Sequence, residues 1–247
     1  MKILASGLPL LILLFVSSCG QFIDGVVTSA ISADESEVVA ADIAKPMPGD
    51  PHGIMTELQP ELPGDRERAD NLAAEIKQGI ARYRDIELAQ GDGYEFFPAD
   101  PPPHMHIVHL VNQQYAKDEA DGFDPSRPGS LLYERTHDGQ GWKLIGAMIT
   151  APVTATVQDL NARVPLSQVR YHLHRNICVP KPIWDSKAWA RVDDRGQPVF
   201  GPESPITTEA ECAAEDGRLL ETVFGWMAHA YVYADDPADT WNQMYGH

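Results

Sequence analysis

Nine histidines stand in this 247-residue chain, and five of them recur at spacings with chemical meaning. His172 and His174 lie two residues apart in the stretch VRYHLHRNICVP, residues 169–180. An extended chain there sends Val169, Tyr171 and Leu173 to one face and Arg170, His172, His174 and Asn176 to the other. Imidazoles at i and i+2 have Cα atoms roughly 6.5–7 Å apart, so both reach one metal ion or one small anion. His104 and His106 repeat the spacing in a second strand-like run, HMHIVHLVN, where His109 is expected on the opposite face. In a third run, residues 222–234, Met227, His229, Tyr231 and Tyr233 alternate with Trp226, Ala228, Ala230 and Val232.

If the three runs share one antiparallel sheet, His104, His106, His172, His174 and His229 converge. Neutral imidazole ligates Zn, Cu, Ni or Fe, and Zn or Cu is the expected cofactor. A saturated site would bind or store the ion. An open coordination position with a general base such as Glu134 would make a metal-dependent enzyme. The third expectation is a non-catalytic structural or interaction protein, its sheet histidines satisfied by backbone carbonyls or by Tyr231. His52, in a Pro/Gly segment, and His137, beside a turn, are expected in solvent. The chain has no Gly-x-Ser-x-Gly, no phosphate-binding glycine loop, no dinucleotide fingerprint and no His-Glu-x-x-His.

The elements that must position these histidines are legible in the apolar periodicity. Ala69, Leu72, Ala73, Ile76, Ile80, Tyr83 and Ile86 form one stripe, predicting an amphipathic helix from Asp65, as N-cap, to about Gln90. The runs SLLYE (130–134) and WKLIGAMIT (142–150) flank a turn at 137–141, a hairpin pattern. Thr208 and Glu211 fit a capping box, which places Cys212 on a short helix. Residues 183–205 read as a long polar loop. These elements predict an α+β fold, an amphipathic helix packed on an antiparallel β-sheet.

The N-terminus bears on compartment. Lys2, the apolar run 3–16 and small residues before Cys19 make an export signal too short to span a bilayer. Val16-Ser17-Ser18-Cys19 resembles the lipobox of bacterial lipoproteins, with Val16 where that family usually has Leu. The resemblance implies lipidation of Cys19, a membrane anchor through the N-terminal lipid, and a place in the bacterial cell envelope. Gly20, rather than Asp, implies the outer membrane, facing the periplasm. Without residues 1–18 the chain keeps 18 basic against 36 acidic residues, about −18. Such a charge disfavours nucleic acid and anionic lipid surfaces. Cys178 and Cys212 are then an even pair, expected as a disulfide in an oxidising envelope. The alternative is a reduced Cys178 acting as thiolate ligand beside His172 and His174.

The series ARYRDIELAQGDGYE, HMHIVHLVN, SLLYE, WKLIGAMIT, YHLHRNIC, the cysteine at Cys212 and MAHAYVYADDP resembles a group of uncharacterised exported bacterial proteins. Those proteins have an N-terminal helix followed by a His-rich β-region and a closing His-aromatic strand. Tyr171 stands where the pattern often has Trp, and Ala228-His229-Ala230-Tyr231 where it often reads Leu-His-Val-Trp. The resemblance covers about Ala69 to the C-terminus and implies a domain boundary and a fold, not an activity. The expected organisation is a lipoprotein signal peptide at 1–18, a flexible tether at 19–64 and a single α+β domain at 65–247.

The anchor is testable by itself. Wild-type protein should partition with membranes, and Cys19→Ser should yield unprocessed or soluble protein. Mature wild type in the soluble fraction, with an N-terminus at residue 20 or later, would overturn the expectation.

Overall fold

Period-two patterning in this chain condenses into eight strands that lie in one sheet. The protein is described by a computed structural model covering residues 38–103 and 105–243, so the expected signal peptide, the lipobox-like stretch and His104 lie outside the described residues. The strands are β1 (Ala44–Pro46), β2 (Gly53–Thr56), β3 (Glu95–Phe97), β4 (Ile107–Val111), β5 (Ser130–Arg135), β6 (Trp142–Ala151), β7 (His172–Pro180) and β8 (Gly217–Ala230). The helices are α1 (Asp65–Gly79), α2 (Ile86–Gly91), α3 (Gln113–Asp118), α4 (Val157–Arg163), α5 (Ser186–Trp189) and α6 (Glu209–Ala214). The order across the sheet is β1-β2-β7-β8-β6-β5-β4-β3, and every pairing is antiparallel. The α+β expectation holds, as does the 130–151 hairpin.

One face of the sheet carries the main core. Val108, Leu110, Leu131, Tyr133, Ala147, Ile149, Tyr171, Leu173, Trp226 and Ala228 meet Ile76 and Ile80 of the helical segment there. Each fully buried aliphatic side chain contributes roughly 1.5–3 kcal/mol, so this face anchors the domain. The predicted single helix is divided. Gly79, a poor helix former, ends α1, and the Asp85 side chain accepts from the Glu87 N–H to start α2. Asp65 is not the N-cap. Gly64 takes that place, and the Asp65 carboxylate instead accepts from the Leu62 N–H at 3.0 Å and the Ser167 hydroxyl at 2.7 Å.

The stretch expected as a tether, 19–64, includes residues that belong to the sheet. β2 is buried along its whole length and pairs with β7, and β1 pairs with β2. The folded domain therefore starts before residue 65. The Pro-rich stretch between these short strands is a hairpin loop, in which proline punctuates an ordered turn.

The opposite face of the sheet is concave. His109 on β4 and His229 on β8 are three strands apart, roughly 14 Å in a flat sheet at about 4.8 Å per strand. Their ring centroids are 5.5 Å apart. Phe97 on the edge strand β3 likewise reaches Phe224 of β8, at 5.5 Å between centroids. Four strand steps would be about 19 Å if flat. The sheet curls so that its far edge faces β7 and β8.

A bulge in β8 sharpens the curl. The register moves from His174↔Val223 to His172↔Met227, which inserts two residues, Phe224 and Gly225, with φ of 64° and 84°. Gly225 suits this backbone, and a Cβ there would come within 2.4 Å of the Ala151 carbonyl oxygen.

At the other end of β7, Cys178 is disulfide-bonded to Cys212 of α6, with Cα atoms 5.6 Å apart. The bond removes Cys178 from the list of metal ligands. It packs on Gly217, where a Cβ would lie within 2.7 Å of both sulfurs. The residues between them are more ordered than the expected polar loop. They contain α5, and Trp189 is buried with its indole N–H donating to the Ile183 carbonyl at 2.7 Å. The Thr208/Glu211 capping box is present as expected.

The bridge spans 34 residues, a loop whose closure contributes roughly 3–4 kcal/mol in the chain-entropy treatment. Cys212→Ala should lower the unfolding free energy by about 2–5 kcal/mol in urea titrations. An unchanged unfolding midpoint would show that the bridge adds no stability.

Candidate functional site

Strand parity brings four histidines to the concave face. Tyr171, just before β7, and Leu173 on it enter the main core, so His172 and His174 turn away from it. On β8, Trp226, Ala228 and Ala230 enter the core, while Met227 and, just past the strand, Tyr231 pack on the other side with His229 between them. On β4, Val108 and Leu110 enter the core, and His109 faces the concavity.

The rings form a chain. His174 and His172 have centroids 5.3 Å apart, His172 and His229 4.9 Å, and His229 and His109 5.5 Å. Neighbours on β7 and β8 meet edge to face, at 77° and 78°. The chain is fixed at several points. His229 Nδ1 is 2.9 Å from the Tyr231 hydroxyl, and His109 Nδ1 is 3.0 Å from the Ser130 hydroxyl. Phe224 stacks on His109 at 5.6 Å and 26°. Gln243, from the C-terminal tail, clamps the His229 backbone. Its carbonyl accepts from the His229 N–H at 2.7 Å, and its amide donates to the His229 carbonyl at 2.9 Å.

Two expectations about individual histidines are corrected. His109 belongs to the cluster, whereas the pattern HMHIVHLVN put it on the opposite face from His104 and His106. The strand begins only at Ile107, so His106 precedes the pleat and its parity says nothing about β4. His106 is exposed and lines the edge of the cavity described below. His52 is not in solvent. It is 2% exposed, with Nδ1 3.1 Å from the Arg175 carbonyl and Nε2 2.6 Å from the Ser204 carbonyl, tying the β1–β2 loop to the 201–204 turn. His137 is exposed at its turn, as expected.

The histidine chain forms part of the wall of a cavity of about 550 Å³. Glu134, the suggested general base, does not line it. The carboxylates that do are Asp50 and Glu203. Asp50, from the β1–β2 loop, places Oδ2 3.3 Å from His174 Nδ1, and Oδ1 accepts from the His52 N–H at 2.8 Å. Burial pushes the Asp50 carboxyl up. The His174 ring and the His52 N–H outweigh that and hold it below its ordinary 3.8. The exposed lining residues Pro48, Gly49, Pro51, Pro202 and Glu203 mark the mouth.

Phe224 is also a wall of this cavity, and its left-handed φ is costly for a bulky side chain, of order 1–3 kcal/mol. The strain aims an aromatic ring at His109 and Phe97 from a strand that would otherwise carry it to the other face. His109, Asp50 and Phe224 were missed from sequence. Only the parity of His109 counted from Ile107 offered a signal.

Among the described residues no group of three or more His, Cys, Asp or Glu side chains is placed so that it could hold a metal ion. The chain matches no protein-family model, no curated protein and no solved structure.

A carboxyl with a lowered folded-state pKa contributes stability above its unfolded pKa and loses it as pH falls through the folded value. Asp50→Asn keeps an acceptor for the His52 N–H and removes the charge. Wild type should be the more stable protein at pH 7, and the gap should close as pH is taken below 3.8. Urea midpoints between pH 3 and 7 measure it. A gap independent of pH would separate Asp50 from its imidazole neighbour.

Proposed function

We propose that the histidine wall binds a transition-metal ion, Zn or Cu, in an exported, lipid-anchored protein of the bacterial envelope. The ring spacing carries this reading. Two imidazoles bound tetrahedrally at the Zn–N distance of about 2.0–2.1 Å have ring centres roughly 5 Å apart. His172 stands 5.3 Å from His174 and 4.9 Å from His229. His172 thus has the spacing of a ligand pair with each neighbour, His174 and His229, with His109 as the next ring in the chain and His106 at the cavity edge.

The surroundings suit the role. A ligating histidine is commonly oriented through its second ring nitrogen by a carboxylate or hydroxyl. Asp50 beside His174 and Tyr231 beside His229 occupy such positions. The disulfide supports an oxidising compartment, in agreement with the lipobox. A second reading, a metal-dependent enzyme at the same wall, is favoured by one observation. The cavity is many times larger than an ion with one water, whose share of liquid volume is about 30 Å³. Asp50 is then the nearest candidate for a base.

Protein purified without a histidine tag should take up one equivalent of Zn or Cu, measured by elemental analysis and calorimetry. His172→Ala, His174→Ala and His229→Ala should each weaken binding at least tenfold, about 1.4 kcal/mol, and His137→Ala should leave it unchanged. Affinity should fall below about pH 6.5, where free imidazole protonates. No uptake, or alanine variants that bind as tightly as wild type, would overturn the reading.

A further inference from the structure

We infer that the cavity takes a neutral organic molecule with a mostly apolar, ring-containing body and one donor head group turned to the histidine wall. This deepens the reading above for the same site and rests on it only for the group that meets the head, a bound ion or an imidazole.

Size comes first. A void of about 550 Å³ lies within the 300–1,000 Å³ of small-molecule sites, while protein interiors are otherwise close-packed. The polar side chains are few and grouped: the histidines and Tyr231 on the wall, Asp50 and Glu203 among the mouth loops. Much of the remaining lining is apolar, including Phe97, Ile177, Val179, Trp189, Phe200 and Phe224.

The aromatic members form a connected surface, with Phe97 5.5 Å from Phe224 and 6.3 Å from Trp189, both edge to face. A flat ring extends such an arrangement by further edge or offset contacts. The strained backbone at Phe224 keeps that residue in this wall.

Charge then narrows the class. No Lys or Arg is among the described residues that line the cavity, two carboxylates are, and the chain carries a formal −17. A small anion would meet two carboxylate side chains and no Lys or Arg side chain in that lining. A neutral ligand avoids that repulsion. A single donor atom suffices, because the polar groups are gathered on one side.

The test uses three probes at pH 8 on wild-type protein, metal-free and Zn-loaded, by isothermal titration calorimetry. 4-Phenylimidazole has the donor and the ring, imidazole the donor alone, and 4-phenylbutyrate the ring with an anionic head. 4-Phenylimidazole should bind at least tenfold tighter than either of the others in at least one of the two forms. Val223→Trp, which fills the cavity from β8, should remove the advantage of the phenyl ring. The comparison of probes on wild type stands whether or not that variant folds. Equal affinities, tighter binding of 4-phenylbutyrate, or no binding of 4-phenylimidazole to either form would overturn the inference. If zinc fails to bind but 4-phenylimidazole binds with the expected preference, the metal reading falls and this one stands. Zinc binding without that preference gives the reverse.

Discussion

The site depends on the curl of the antiparallel sheet. Side chains of a flat sheet stand parallel, and His109 and His229 would then be held apart by the width of the two intervening strands. The curl turns side-chain axes toward a common centre and brings those rings to 5.5 Å. The same bending carries Phe97 of the edge strand to Phe224. The convergence that permits chemistry is therefore a property of the sheet as a whole. It is maintained by the packing of Ile76, Ile80, Tyr171, Trp226 and their neighbours on the far side.

The pairing of β7 with β8 is where stability and strain meet. At one end the Cys178–Cys212 bond holds the strands and α6 together around a glycine that leaves room for two sulfurs. Toward the other end, the ladder gives up regular pairing for two left-handed residues. A bulge in a long strand normally weakens it. Here it puts an aromatic ring into the cavity and lets β8 bend around the concave face. Beyond the last β7 pairing, Gln243 supplies the backbone partners of His229 that a neighbouring strand would have supplied. The tail thus completes the sheet at the residue nearest the middle of the histidine chain.

Electrostatics set the cavity apart from the surface around it. The chain is strongly acidic, yet the concave wall is built from neutral-capable imidazoles and apolar groups. Its nearest carboxylate, Asp50, is held ionised by a histidine ring and a backbone N–H. A cation is favoured beside that carboxylate, and a neutral molecule is tolerated in the remaining space. The two functional readings place both in one cavity.

Much of this was determined by the sequence alone, because it depends on local period and covalent chemistry. The apolar stripe from Ala69 to Ile80 specified a helix with one buried face. Alternation in VRYHLHR and WMAHAY specified which side of the sheet His172, His174 and His229 occupy, since a pleat leaves each side chain only two choices. The even pair of cysteines pointed to a bridge, and the structure removed the thiolate alternative. Other features were decided by the tertiary structure. The Pro-rich segment 46–51 reads as a tether until β2 pairs with a strand more than a hundred residues away, and only that pairing brings Asp50 to His174. His52 and Trp189 sit in polar surroundings in the sequence and are buried by elements distant along the chain. The place of His109 turned on where β4 begins, a boundary set by its partners in the sheet. The curl and the bulge at Phe224 arise from packing among non-adjacent strands, and no window of the sequence encodes a contact between residues that meet only after the whole sheet has formed and curled.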